Sequence, residues 1–265
     1  FFIHRFSACS MCDTNSTGDI EDLNKTCGFA RPMDDSPLAS VDRFDHHIFL
    51  YTGHSNWQKK FPEGEQEPIK QAVLELKSAK KSLPYSLKAT ACDLTNDDDK
   101  FVSILAFPAK KVFKLDAGDV NEHIADVLAH LSHPDDETFT GEISDAPYEH
   151  YIFVCSDAAT DKRCGYCGPK LVDAFEKELN ASNLSGKVKV VKTNHVGGHK
   201  YAGNVIVYPA GDWFGYVTPD RVKDVISHTV TNYKKDGCDI IPDLWRGRLR
   251  MSKDQVKQKH SELKE

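Results

Sequence analysis

From residue 45 to residue 131, short apolar runs alternate with stretches of helical spacing. His47-Ile-Phe-Leu-Tyr51 reads as a buried strand, because a brief apolar run between polar boundaries is too short for a helix. After Pro68, the residues Ile69, Ala72, Val73 and Leu76 recur three and four apart and predict one face of a helix. Residues 86–92, 103–107 and 112–115 predict three further strands, the last two joined by a turn at Ala109-Lys110-Lys111. Val120, Ile124, Val127, Leu128 and Leu131 then mark a closing helix. The predicted order is β, α, β, β, β, α.

The pattern then starts again. His46-His-Ile-Phe-Leu matches His150-Tyr-Ile-Phe-Val in kind, and from Pro68 and Pro169 a constant offset of 101 residues carries the comparison on. Phe107-Pro108-Ala109 falls on Tyr208-Pro209-Ala210, Phe113 on Phe214 and Asp119 on Asp220. In this second pass, residues 151–154 predict a strand, and Gly168-Pro169 a helix start, proline being at home in a first turn. Leu171, Val172, Phe175 and Leu179 are its buried face. Residues 187–191 form a strand, 205–208 and 213–217 a hairpin, and Thr218-Pro219 opens a helix lined by Val222, Val225 and Ile226. One α/β unit thus occurs twice, as internal self-similarity at a fixed offset implies. The expected organisation is an arm at 1–40, units at 41–134 and 146–235, and a tail at 236–265 with Trp245 docked on a domain surface. The boundary falls in the Pro-, Asp- and Gly-containing stretch 132–145.

Composition narrows the class. The chain has 265 residues, 40% hydrophobic and 28% charged, which fits globular α/β domains of ordinary size. No apolar run approaches the ~20 residues that span a bilayer, so no membrane segment is expected. A net charge of −6 argues against nucleic-acid binding, which needs a basic surface. Arg246, Arg248, Arg250 and Lys253 gather near the C-terminus and read as a solvated basic face. Eight cysteines are too few for a disulfide-stapled framework and point to metal or redox chemistry in a reducing compartment, cytoplasmic or mitochondrial matrix. The chain begins at Phe1 rather than methionine, so an upstream segment or targeting peptide is expected to have been removed.

The candidate chemistry lies in the second unit. Cys155, Cys164 and Cys167 sit between a strand and a helix start, where the positive end of the helix favours thiolate. His195 and His199 bracket Val-Gly-Gly on a loop that two glycines keep from being helical. In the first unit Tyr51, Leu94 and Asp98 occupy the positions of Cys155, His195 and His199, so scaffold positions agree between the copies and these do not. Three chemistries suit the set. A thiol–disulfide exchanger would use Cys164 and Cys167, although Gly203-Asn204 stands where such an enzyme carries proline. Zinc accepts thiolate and imidazole, but eight residues between Cys155 and Cys164 make a loop wider than a zinc knuckle. That width suits a larger group. In the arm, Cys9, Cys12 and Cys27 with His46 or His47 form a second candidate ligand set, and Asp97-Asp98-Asp99 lacks calcium-loop spacing.

The segment Cys155-Ser-Asp-Ala-Ala-Thr-Asp-Lys-Arg-Cys164-Gly-Tyr-Cys167-Gly-Pro closely resembles the C-x8-C element of the sucrase/ferredoxin-like family of thioredoxin-like ferredoxins. His195-Val-Gly-Gly-His199 is similar to that family's H-x-G-G-H element. The stretch 207–220, Gly28-Phe-Ala-Arg-Pro-Met, Leu38-Ala-Ser-Val-Asp42 and Leu244-Trp-Arg-Gly247 extend the likeness over most of the chain. After the first cysteine the family often has His-Gly, where this chain has Ser156-Asp157-Ala158. The resemblance implies two tandem thioredoxin-like domains, the first degenerate and the second a ferredoxin holding a [2Fe–2S] cluster. It places Cys155 and Cys164 on one iron and His195 and His199 on the other; a pairing of Cys155 with Cys167 stays open. Neutral imidazoles in place of thiolates raise the potential, as in Rieske centres. The implied function is a proton-coupled one-electron carrier, rather than an enzyme, serving an unidentified redox partner protein. A thiol–disulfide oxidoreductase and a zinc-bearing interaction protein are the alternatives.

Overall fold

The computed structural model describes residues 24–33, 35–134, 139, 141–233 and 240–263. In the first half, β1 (His46–Tyr51), α1 (Glu67–Ala79), β2 (Leu87–Cys92), β3 (Phe101–Phe107), β4 (Lys111–Asp116) and α2 (Val120–Ser132) follow the predicted order. β1 runs parallel to β2 and antiparallel to β3, and β3 is antiparallel to β4. The stretch expected to be a linker contributes a further strand, β5 (Glu142–Asp145), antiparallel to β4. The unpaired backbone groups along the edge of β4 recruit it, an effect that no apolar pattern signals.

The second half comprises β6 (His150–Cys155), α3 (Lys162–Ala181), β7 (Val188–Thr193), β8 (Val205–Tyr208), β9 (Asp212–Phe214) and the short α4 (Val222–Ile226). β6 is parallel to β7 and antiparallel to β8, and β8 is antiparallel to β9. α3 departs from expectation at its start. It begins at Lys162, capped by the Asp161 carboxylate accepting from Arg163 N, and Pro169 lies inside it rather than in its first turn. Cys164 and Cys167 are therefore helical residues.

The expected tail is not a tail. β10 (Trp245–Arg248) pairs antiparallel with β9, and α5 (Lys253–Glu262) follows behind a Ser252–Gln255 capping box. Trp245 is fully buried in the core of the second half, and its Nε1 donates to Asp212 Oδ1 at 2.9 Å. The solvated basic face is overturned in part. Arg248 donates to both oxygens of buried Asp212 at 2.8 and 2.9 Å, and Arg246 is itself buried. Arg250 donates to the Asp45 carbonyl and Lys253 pairs with Asp42. Arg246 and Arg248 are thus inward ties that fasten the C-terminal segment to the sheet, while Arg250 and Lys253 stay exposed as expected.

Among the described residues the strands form one sheet in the order β10-β9-β8-β6-β7-β2-β1-β3-β4-β5. The halves meet where β2 and β7 pair antiparallel at Cys92 and Thr193. Successive strand residues point to opposite faces. Accordingly Ile48 and Leu50 pack on α1 and α2, and Ile152 and Val154 on α3 and α4. Phe49 and Phe153 point the other way and stack face to face, 3.6 Å between ring centroids at 4°. Phe107 stacks on Tyr208 in the same layer at 3.9 Å. In a flat sheet β1 and β6 would stand roughly 14 Å apart, three spacings of about 4.8 Å. The sheet must therefore double back at the β2–β7 seam, enclosing a core between its two halves with helices outside. His47 lies in that core with both ring nitrogens engaged, by Tyr208 Oη at 2.8 Å and Thr90 Oγ1 at 2.7 Å. It is not available as a ligand for the arm, and Cys27 is disulfide-bonded rather than a free thiol that could hold a metal; Cys9 and Cys12 lie outside the described residues.

Truncating either stacked ring would open a void that neither half can close alone. Phe49→Ala and Phe153→Ala should each cost about 3–5 kcal/mol in urea unfolding. The double-mutant cycle should show a coupling of about 0.5–1.5 kcal/mol. Single losses under about 1 kcal/mol would mean that the halves do not depend on this layer.

Candidate metal centre

β6 and β7 are parallel neighbours, and α/β folds place sites beyond the carboxyl ends of such strands. β6 ends on Cys155, and two residues after β7 ends comes His195. The parallel register sets Cys155 opposite Thr193, so both loops leave the sheet at one level. Thr193 is also the residue that joins β2, and Asn194 bonds Ala91 through backbone and side chain. The first half thus clamps the root of the histidine loop.

Two glycines let α3 approach the cysteine loop. A Cβ at Gly168 would lie 2.4 Å from Ser156 Oγ and 2.5 Å from the Cys155 carbonyl oxygen; one at Gly165 would meet Ala158 Cβ at 2.4 Å. Cys164, on the first turn of the helix, comes back over Cys155 as a result. One ligand atom from each of Cys155, Cys164 and His195 lies within 4.8 Å of the others. The His199 ring centroid stands 5.6 Å from that of His195, at the start of a short 3-10 turn (His199–Tyr201). Cys167 is not in this group. Its thiol lies 3.6 Å from the Cys27 carbonyl and 3.6 Å from Arg31 Nη1, facing the arm.

Two side chains that were not singled out for a role hold the loops together. Buried Asp157 accepts from His195 N at 3.1 Å through Oδ2, which also accepts from Thr160 Oγ1 at 2.9 Å; Oδ1 accepts from Thr160 N at 3.0 Å. This carboxylate ties the cysteine loop to the histidine loop. Arg246 holds the other side. Its Nη1 donates to Asn204 Oδ1 at 2.7 Å and to Gly197 O at 3.2 Å, while Asn204 Nδ2 donates to Gly198 O at 3.0 Å. Gly198, at φ +71°, must lack a side chain: a Cβ there would meet Arg246 Nη2 at 2.2 Å. Asp157 carries no signal in the sequence beyond its departure from the family pattern. Arg246 stands in Leu244-Trp-Arg-Gly247, where its inward role is invisible without the fold.

The electrostatics are those of one shared negative charge. Cys155 is brought down to about 5, first by the hydrogen bond from the Cys164 thiol and then by His195, against the cost of burial. Cys164 is pushed up well above the ordinary thiol range by the same contact with Cys155 and by burial. His195 is raised by its hydrogen bond to Cys155, and His199 is lowered by burial. Burial also raises Cys167. His195 Nδ1 is buried and finds no hydrogen-bond partner among the described residues. The same holds for Nδ1 of His46, His54, His130, His150 and His228, so what sets His195 apart is its place beside the two thiols.

A family model described as sucrase/ferredoxin-like matches residues 37–247. "Altered inheritance of mitochondria protein 32" of Debaryomyces hansenii is 41% identical over 103 residues, 37% of this chain and 35% of that protein. The protein of the same name from Meyerozyma guilliermondii is 31% identical over 162 residues, 54% of this chain and 56% of that one. The chain thus spans a third to a little over half of these relatives. "Ferredoxin, 2Fe-2S" of Clostridium pasteurianum is 35% identical over 89 residues, 32% of this chain and 87% of the ferredoxin. Among solved structures, a thioredoxin-like [2Fe-2S] ferredoxin from Aquifex aeolicus covers 38% of this chain and 93% of its own at 20% identity, with a TM-score of 0.31.

Asp157→Ala would leave the His195 and Thr160 amides without their acceptor. A cost of about 1–3 kcal/mol in urea unfolding is expected. Asp157→Asn, which retains an acceptor oxygen, should recover part of it. Equal stability of the alanine variant and the unaltered protein would show that the two loops do not rely on this carboxylate.

Proposed function

This chain belongs to the sucrase/ferredoxin-like family, and from that premise we propose that it is an electron carrier holding a [2Fe–2S] cluster on Cys155, Cys164, His195 and His199. The observation that carries the reading is the convergence of two thiols and an imidazole within 4.8 Å. The donor set fits the group. Cys155 is already disposed to be thiolate, the form that binds iron. His199 is half-buried on a glycine loop next to His195, within reach of the same centre. When bound, the cluster supplies reversible one-electron exchange, at a potential that imidazole ligands raise.

The chain's own residues set the conditions for that exchange. Asp157 and Arg246 fix the two loops, so the ligands need little rearrangement between charge states. Each ligating imidazole keeps a second ring nitrogen that can hold or release a proton, and charge on the metal tunes how tightly. The half-buried histidine loop is the route by which protons and electrons come and go. The thiol–disulfide reading has less support: Cys164 and Cys167 are both buried and both held in the thiol form.

The repeat belongs to the same proposal. Positions that it equates lie against each other: Phe49 on Phe153, Phe107 on Tyr208, and Cys92 opposite Thr193. Two thioredoxin-like units at 41–134 and 146–235 related by a pseudo-two-fold axis through the β2–β7 seam account for all three contacts, as a two-fold brings equivalent residues together. The first unit then serves as clamp and support, and the acceptor of the electron is a separate redox protein. No helix among the described residues is long and apolar enough to cross a membrane. The name shared by the yeast relatives favours mitochondria over cytoplasm.

Metal analysis of purified protein should find iron at about two atoms per chain with visible absorption. Zinc at one atom per chain, without colour, would contradict the cluster. Replacing His195 or His199 by cysteine should lower the midpoint potential by on the order of 100 mV or more, since thiolate adds negative charge. An unchanged potential in both variants would contradict imidazole ligation.

A further inference from the structure

A cavity of about 370 Å³ opens on the far side of the histidine loop, between the segment 40–44, β2 and the backbone of Gly197 and Gly198. Four cations line it: Arg43, Lys80, Lys88 and Arg246. Asp42 is the acid on its wall; its carboxylate is 89% exposed and paired with Lys253 at 2.7 Å. Arg43 is likewise compensated, by Asp45 at 2.9 Å. Lys88 and Arg246 are different. Arg246 is 3% exposed; its hydrogen-bond partners Ser40, Gly197 and Asn204 are neutral, and the acidic groups that act on it are the thiols of Cys155 and Cys164 and the Tyr201 phenol rather than a carboxylate. Lys88 Nζ sits 4.9 Å above the Trp213 ring, with no carboxylate partner among the described residues.

Buried charges are ordinarily paired, because removing them from water is expensive. Here two cations are drawn toward one cavity from opposite halves of the chain, Lys88 on β2 and Arg246 on β10. Burial pushes the Lys88 ammonium down to about 8, with Arg246 and Lys80 adding repulsion. Cys155 draws on both cations from the candidate centre. The cavity wall itself, however, presents four cations against one acid already paired with Lys253, a surplus of positive charge that an anion from solvent can meet. We propose that this cleft is an oxyanion-binding site that takes the phosphate or carboxylate group of a small ligand between Lys88 and Arg246. The ammonium supplies a point charge and the guanidinium a planar donor, the two modes by which proteins hold such groups. Trp213, itself buried, carries both cations, with Lys88 Nζ 4.9 Å and Arg246 Cζ 5.6 Å from its ring centroid. Because Arg246 also holds Gly197, an anion bound there leans on the histidine loop from behind. The site does not require a metal to be bound in front.

Isothermal calorimetry tests it, with inorganic phosphate and sodium acetate titrated separately into the full chain against sodium chloride at matched ionic strength. Saturable one-site binding of either oxyanion is expected, with acetate and phosphate distinguishing the carboxylate from the phosphate source. Lys88→Gln should weaken it by about tenfold or more, the scale of one charge-assisted contact. Lys88→Arg, which keeps the charge, should bind within a few-fold of the unaltered protein, separating loss of the site from a folding defect. Heats no different from those of chloride, or equal affinity in folded Lys88→Gln, would overturn the proposal.

Discussion

The Asp157 carboxylate lies 3.1 Å from the His195 amide and, by its other bonds, closes the turn that leads from Cys155 to the helix. That spacing is what the candidate centre depends on. Thiols from one loop and imidazoles from another serve a single centre only if the loops cannot drift apart, and each is too irregular to be fixed by its own backbone. The tie is charged, buried and made to main-chain donors, the kind of hydrogen bond least exchangeable with water.

Everything around that tie limits motion at the same point. The β2–β7 seam anchors the residue before Asn194, and Asn194 in turn grips Ala91. Arg246 reaches from β10 to the carbonyl of Gly197 and orients Asn204, which holds Gly198. The first half, without thiols or imidazoles at the corresponding positions, therefore has a mechanical part in the site. So does the C-terminal segment, whose tryptophan and arginines are drawn inward by Asp212 and the histidine loop.

The strands and helices of both halves were legible because their apolar periodicity is strong. Cys155, Cys164 and His195, whose ligand atoms lie within 4.8 Å of one another, were legible because thiols and imidazoles cluster at two loop positions in the sequence. Less legible was whatever depends on partners distant in sequence. The strand Glu142–Asp145 exists because β4 offers it an edge, and Ile143 is its one apolar residue. Arg246 and Arg248 look like surface cations until Asn204 and Asp212 are found beside them. The start of α3 was misplaced for a different reason: Pro169 reads as a first-turn residue, whereas Asp161 caps the helix eight residues earlier and glycines at 165 and 168 absorb its contact with the cysteine loop.

The central claim is that two imidazoles and two thiolates bind one diiron centre. Pulsed electron paramagnetic resonance on the chemically reduced protein, grown with 15N-labelled histidine, reads the ligands of the reduced iron directly. The account predicts two strong 15N couplings, one of which disappears in His199→Cys. A spectrum without directly bound nitrogen would contradict it.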